Sequence, residues 1–97
     1  MIVDDRVALI GSANINDRSL LGNRDTELAV VVEDEHKQEV KVAEGGSRLV
    51  GKFAHSLRKE LYMEHFALSD SEAADYFNED VWDAMIEISR TNHYIYR

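Results

Sequence analysis

The sequence predicts a layered α/β protein, and three features carry that expectation. Two continuously apolar runs, Val7-Ala8-Leu9-Ile10 and Leu28-Ala29-Val30-Val31-Val32, read as strands covered on both faces, because half-exposed strands alternate apolar and polar residues. From Ser47 to about His65, Leu49, Val50, Phe53, Ala54, Leu57 and Leu61 instead recur at helical intervals and form one amphipathic stripe. Between the apolar runs lies Gly11-Ser12-Ala13-Asn14-Ile15-Asn16-Asp17-Arg18-Ser19, small and rich in hydrogen-bonding groups, the pattern of a site mounted on strand ends.

Taken in order, Met1-Ile2-Val3 and Val7–Ile10 are predicted strands joined by the tight acidic turn Asp4-Asp5-Arg6, which puts Asp4 at a strand end. Asn16 or Asp17 caps a short helical turn through Leu20-Leu21, and Gly22-Asn23 ends it. Glu27 leads into the Leu28–Val32 strand, which Glu33-Asp34-Glu35 closes with charge. The segment His36 to Glu44 is polar and loosely helical, broken by Gly45-Gly46. After the Ser47–His65 helix, Ser69 and Glu72 have capping-box spacing and open a short helix through Tyr76. Asn78 caps the last helix, with Glu79 and Asp80 near its positive end and Val81, Trp82, Met85, Ile86 and Ser89 on its buried face.

Composition narrows the functional classes. A chain of 97 residues buries only a modest core, so it is expected to be a piece of something larger. Its 44% hydrophobic and 31% charged residues are those of a soluble globular protein. No apolar run approaches the roughly 18 residues of a spanning helix, and the N-terminus lacks the basic and apolar regions of a signal peptide, which makes a cytoplasmic setting the default. The absence of cysteine excludes a disulfide framework and thiolate metal sites.

A net charge of −8, from 19 acidic against 11 basic residues, argues against nucleic acid as partner, since that binding rests on releasing counterions from phosphates. Arg48, Lys52 and Lys59 share one face of the predicted helix, where an anionic-lipid contact is conceivable and a plain solvated face commoner. The histidines, His36, His55, His65 and His93, lack metal-ligand spacing and read as surface or packing residues.

Asp4, six residues, then Gly11-Ser12-x-Asn14 resembles the second half of the phospholipase D superfamily signature, in which a His-x-Lys pair precedes the Asp. The longer string Ile2-Val3-Asp4-Asp5…Ile10-Gly11-Ser12-Ala13-Asn14-Ile15-Asn16-Asp17-Arg18-Ser19…Gly22-Asn23-Arg24-Asp25-Thr26-Glu27 is similar to the eukaryotic phospholipase D branch. Gly51-Lys52-Phe53-Ala54…Ser56-Leu57-Arg58 and Val81-Trp82…Asn92…Ile95-Tyr96 resemble the helical C-terminal region of the same enzymes, so the likeness covers most of the chain. It implies a phospholipase D-like layered α/β fold, with residues 1–45 holding the second-motif strands and active-site loop and 46–97 a C-terminal helical region.

The resemblance also implies chemistry. One His of the family attacks a phosphodiester to give a phosphohistidine while another protonates the departing alcohol, and water or a second alcohol then releases phosphatidic acid or its ester. On this pattern Ser12 and Asn14 supply uncharged donors to the phosphate oxygens, Gly11 forms the turn, and Glu27 accepts the other ring N–H of the nucleophile, with Asp25 as rival. Asp4 belongs to the catalytic motif by spacing, and holding the local backbone suits its position better than transferring protons.

The mechanism calls for no metal or cofactor. The motif His and Lys, and the family's first motif, fall outside the sequence, so the 97 residues alone are expected to be an inactive C-terminal fragment. Its partners are the remainder of the catalytic domain and a phospholipid substrate at a membrane surface, met by peripheral association. A nuclease of the same superfamily and a non-catalytic interaction module are the alternatives.

Overall fold

The computed structural model describes residues 1–41, 46–75 and 78–96. Strands β1 (Ile2–Val3), β2 (Val7–Gly11) and β3 (Ala29–Glu33) form an antiparallel sheet in the order β1-β2-β3, with the short helix α1 (Asp17–Leu20) inserted between β2 and β3. A separate hairpin pairs β4 (Lys37–Lys41) with β5 (Ser47–Gly51), and three helices follow: α2 (Lys52–Phe66), α3 (Asp70–Ala74) and α4 (Glu79–Tyr96).

The register shows which faces are covered. Ile2 opposes Ala8, Ala8 opposes Val32 and Ile10 opposes Val30, so these residues share one face of the sheet. Helix α2 packs against β1, β2 and β3, and Ala8 is fully buried. On the other face Val3, Leu9 and Val31 stay open to solvent among the described residues. The expectation of strands covered on both faces is therefore met only in part, around Ala8 on one face, where Ile10 and Val30 remain 50% and 55% exposed. The shape agrees: the molecule is a slab of 49 × 40 × 18 Å with a radius of gyration of 16.0 Å, against about 12.5 Å for a compact domain of this length.

Two elements differ from expectation. The segment after His36 is not helical: Lys37–Lys41 is strand β4, paired residue for residue with β5. Its helix-compatible polar residues carried no information about the partner strand, and only Val40 is half-buried. Glu44 and Gly45 lie outside the described residues. The helix expected from Ser47 begins at Lys52, because Ser47–Gly51 is taken by the hairpin. Leu49 and Val50 fit both periodicities, which is why the helical stripe overreached. Arg48 consequently sits on a strand and Lys59 pairs with Asp70 at 2.8 Å, so the three cations do not share a helix face.

Capping fixes the helix ends. Gly51 at the start of α2 has no side chain to offer; instead the Asp34 carboxylate accepts the N–H of Phe53 at 2.9 Å and of His36 at 3.0 Å. These bonds hold the Asp34 carboxyl below its ordinary range. Ser69 and Glu72 form the expected capping box at α3, which ends at Ala74, and Tyr76 lies outside the described residues. Asn78 Oδ1 accepts the N–H of Asp80 at 2.9 Å at the head of α4. Leu68, Ala73 and Met85 form the helical core with Tyr62, Phe66 and Val81 around them. Trp82, expected in that core, is 55% exposed.

Candidate functional site

Strands β2 and β3 end together at the pair Gly11 and Ala29. A Cβ on Gly11 would lie 2.7 Å from Ala29 Cβ and 2.8 Å from the Leu28 carbonyl oxygen, so only glycine allows this close approach. Beyond the pair, the Ser12 N–H donates to the Leu28 carbonyl at 3.0 Å, and the Leu28 N–H donates to Ser12 Oγ at 3.1 Å. The ladder thus hands over to a side chain at the point where the turn begins.

The turn closes on a carboxylate. Ser12 Oγ donates to Glu27 Oε2 at 2.5 Å, and Ser19 Oγ donates to Glu27 Oε1 at 2.9 Å. The two hydroxyls and the nearby Arg18 guanidinium favour the ionised form and hold Glu27 below the usual carboxylate range. Ser19 comes from α1, whose N-cap Asn16 accepts the Ser19 N–H at 3.0 Å. Asp25, the rival carboxylate, is engaged by Arg18 at 3.0 Å, which leaves the central position to Glu27.

Ser12, Asn14, Ser19, Arg24 and Glu27 line a cavity of about 620 Å³, together with Asn16, Arg18, Asp25 and Thr26. The one donor of the Ser12 hydroxyl is committed there to Glu27, while its oxygen accepts from Leu28. The Asn14 side-chain amide makes no hydrogen bond with a described residue and is a free neutral donor in the lining of the cavity, as are the Asn16 side-chain nitrogen and the Thr26 hydroxyl. Two carboxylate oxygens accept about four hydrogen bonds, so Glu27 keeps capacity for an N–H from outside the chain.

The structure therefore brings Gly11, Ser12, Asn14 and Glu27 together, and does not bring Asp4 to them. Asp4 sits in the turn at the far end of β2, about 13 Å away by the rise of the strand alone. Asp4 and Asp5 have φ of 52° and 51° in the turn from Val3 to Arg6, which the Arg6 N–H closes onto the Val3 carbonyl.

Asp5, read from the sequence only as part of a turn, is the buried member of the acidic pair. It accepts from His55 Nδ1 at 2.8 Å, Arg58 Nε at 3.0 Å and Arg58 Nη2 at 2.9 Å, while Arg58 Nη1 donates to the Ala73 carbonyl. This network ties the β1–β2 turn to α2 and α3. Its only sequence signal was an unexplained second Asp in the turn; Ser19 was visible only inside the longer motif string.

A family model described as phospholipase D matches residues 1–96. The chain is similar to phospholipase D B of Dictyostelium discoideum, 48% identical over 101 residues that take in 100% of this chain and 8% of that protein. It is likewise similar to phospholipase D zeta 1 of Arabidopsis thaliana, at 45% over 100% of this chain and 9% of the relative. With phospholipase D2 of Bos taurus it shares 55% over 64% of this chain and 6% of the relative. The chain thus spans less than a tenth of the length of these curated relatives.

Proposed function

Because this chain belongs to the phospholipase D family, we propose that it forms the phosphate-binding and orienting side of an active site that cleaves phosphatidylcholine-type phospholipids to phosphatidic acid and choline. The observation that carries this reading is the cavity lined by both the free Asn14 side-chain amide and a Glu27 carboxylate held on both oxygens. In the proposed reaction a histidine from outside the 97 residues attacks phosphorus, the bond from phosphorus to the choline oxygen breaks, and a second histidine gives that oxygen its proton. Water, or a primary alcohol, then displaces the histidine and yields phosphatidic acid or a phosphatidyl-alcohol.

Glu27 accepts the second ring N–H of the attacking imidazole, fixing its tautomer and stabilising it once it carries phosphorus. Asn14 donates to a phosphoryl oxygen as charge builds there. The Ser12 hydroxyl donates to Glu27 in this structure, and its proposed part is to orient that carboxylate. None of the cavity residues is a histidine or lysine, so these 97 residues alone are proposed to be inactive and to need the remainder of a catalytic domain. The same remainder is proposed to cover the open sheet face, and approach to lipid is proposed to be peripheral: no helix among the described residues is long and apolar enough to cross a membrane.

The test is turnover of phosphatidylcholine vesicles in ethanol by the full-length protein that carries this sequence. Phosphatidylethanol is the expected product. Cleavage of DNA with no lipid product would replace this reading by the nuclease alternative.

A further inference from the structure

Ser19 carries more than a cap. Its Oγ accepts the backbone N–H of Asn14 at 2.9 Å and donates to Glu27 Oε1 at 2.9 Å. A hydroxyl has one donor, and here that donor is committed to the carboxylate while a lone pair holds the backbone of the turn. The Ser19 backbone is itself fixed by the bond from its N–H to Asn16 Oδ1 at 3.0 Å. One half-buried oxygen on α1 therefore joins the residue that carries the free amide to the residue that carries the charge.

We infer that Ser19 is a positioning residue of the reaction, setting the Asn14 donor and the Glu27 carboxylate at a fixed separation across the cavity. The inference rests on the proposed function, because it takes Asn14 and Glu27 as the groups that meet phosphate and imidazole. With Ser19 in place, Glu27 is gripped from β2 through Ser12 and from α1 through Ser19, and cannot swing about its terminal torsion. Without it, one carboxylate oxygen is released and the turn at Asn14 loses its tie. Misplacement of reacting groups by about 1 Å costs on the order of 100-fold in rate. The Ser19 bond also favours ionised Glu27, so its loss raises the pH at which the carboxylate takes a proton.

The test uses the full-length protein carrying this sequence, with a soluble p-nitrophenyl phosphodiester and phosphatidylcholine vesicles as separate substrates. Ser19→Ala is expected to lower kcat by roughly 10- to 100-fold with little change in KM, and to move the acid limb of the kcat/KM profile to higher pH. Ser19→Thr, which keeps the hydroxyl, is expected to recover most of the rate and the wild-type limb. In a Glu27→Gln background, Ser19→Ala is expected to move no acid limb.

An unshifted limb in Ser19→Ala, a Thr variant as impaired as Ala, or loss of the wild-type thermal transition on Ser19→Ala would overturn the inference. Wild-type cleavage of the soluble diester without phosphatidylcholine turnover would sink the lipid assignment while leaving the Ser19 comparison readable. A wild-type protein that cleaves neither compound would overturn both.

Discussion

At the residue scale, the site separates two uncharged groups that the motif lists side by side. Ser12 is locked between the Leu28 N–H and Glu27, whereas the Asn14 amide is unengaged. Asn14→Ala is therefore expected to lower kcat of the full-length enzyme by roughly 10²- to 10³-fold, the usual loss for a donor to developing charge. Ser12→Ala is expected to act through Glu27 and to shift the acid limb upward, which steady-state kinetics across pH distinguishes. Gly11→Ala tests the backbone beneath them. Its Cβ would lie 2.7 Å from Ala29 Cβ, so β2 and β3 must part, at a cost of about 1–3 kcal/mol read from unfolding of the full-length protein. Glycine at this turn and the group Ser12, Asn14 and Glu27 were legible as a string. The division of labour was not, because it depends on which oxygen each hydroxyl meets, across 15 residues of chain for Ser12 and 8 for Ser19.

At the element scale, local signals succeeded where they were self-contained. The Ser69–Glu72 box lies within one helical turn and forms as read; Ser69→Ala is expected to cost about 1 kcal/mol. Strand β4 failed because its identity lies in its partner: Lys37–Lys41 is extended through pairing with Ser47–Gly51, not by its own composition. The cap of α2 failed for the same reason, since Asp34 is 19 residues from Phe53. Asp34 is held below the ordinary carboxylate range by the N–H groups of Phe53 and His36. A group depressed in the folded state stabilises it above its unfolded value and loses that effect as pH falls through the folded value. The expected result is lower amide protection, relative to the intrinsic exchange rate at each pH, in residues 50–56 on acidification below the carboxylate range, with Asp34→Ala showing that low protection already at neutral pH.

The Asp5 network belongs to this scale as well. Asp5, His55 and Arg58 are each about 95% buried and join three elements. Asp5→Ala removes the carboxylate that Arg58 and His55 meet in the interior and is expected to destabilise by about 3–5 kcal/mol in denaturant unfolding of the full-length protein. A pair of acids in a turn gives no sign of which one turns inward. The structure shows that Asp5 does, while Asp4 takes the exposed position.

At the scale of the whole molecule, a slab 18 Å thick cannot enclose a deep core. Val31 is 64% and Leu28 78% exposed, beside a sheet with one face open among the described residues. The apolar runs signalled double coverage, and the second cover is not supplied by this segment's described residues. The isolated 97 residues are accordingly expected to show no cooperative thermal transition as a monomer and to bind a hydrophobic dye.

The central claim is that Glu27, gripped by Ser12 and Ser19, orients a nucleophile supplied from elsewhere in a phosphodiesterase site. The most direct measurement is kcat for phosphatidylethanol formation by the full-length protein with Glu27→Gln, alongside its thermal transition. A loss of roughly 100-fold or more with the transition unchanged is the predicted result, because an amide presents an N–H and cannot hold the imidazole in the required tautomer on that side. A Glu27→Gln enzyme within about twofold of wild type would contradict the claim.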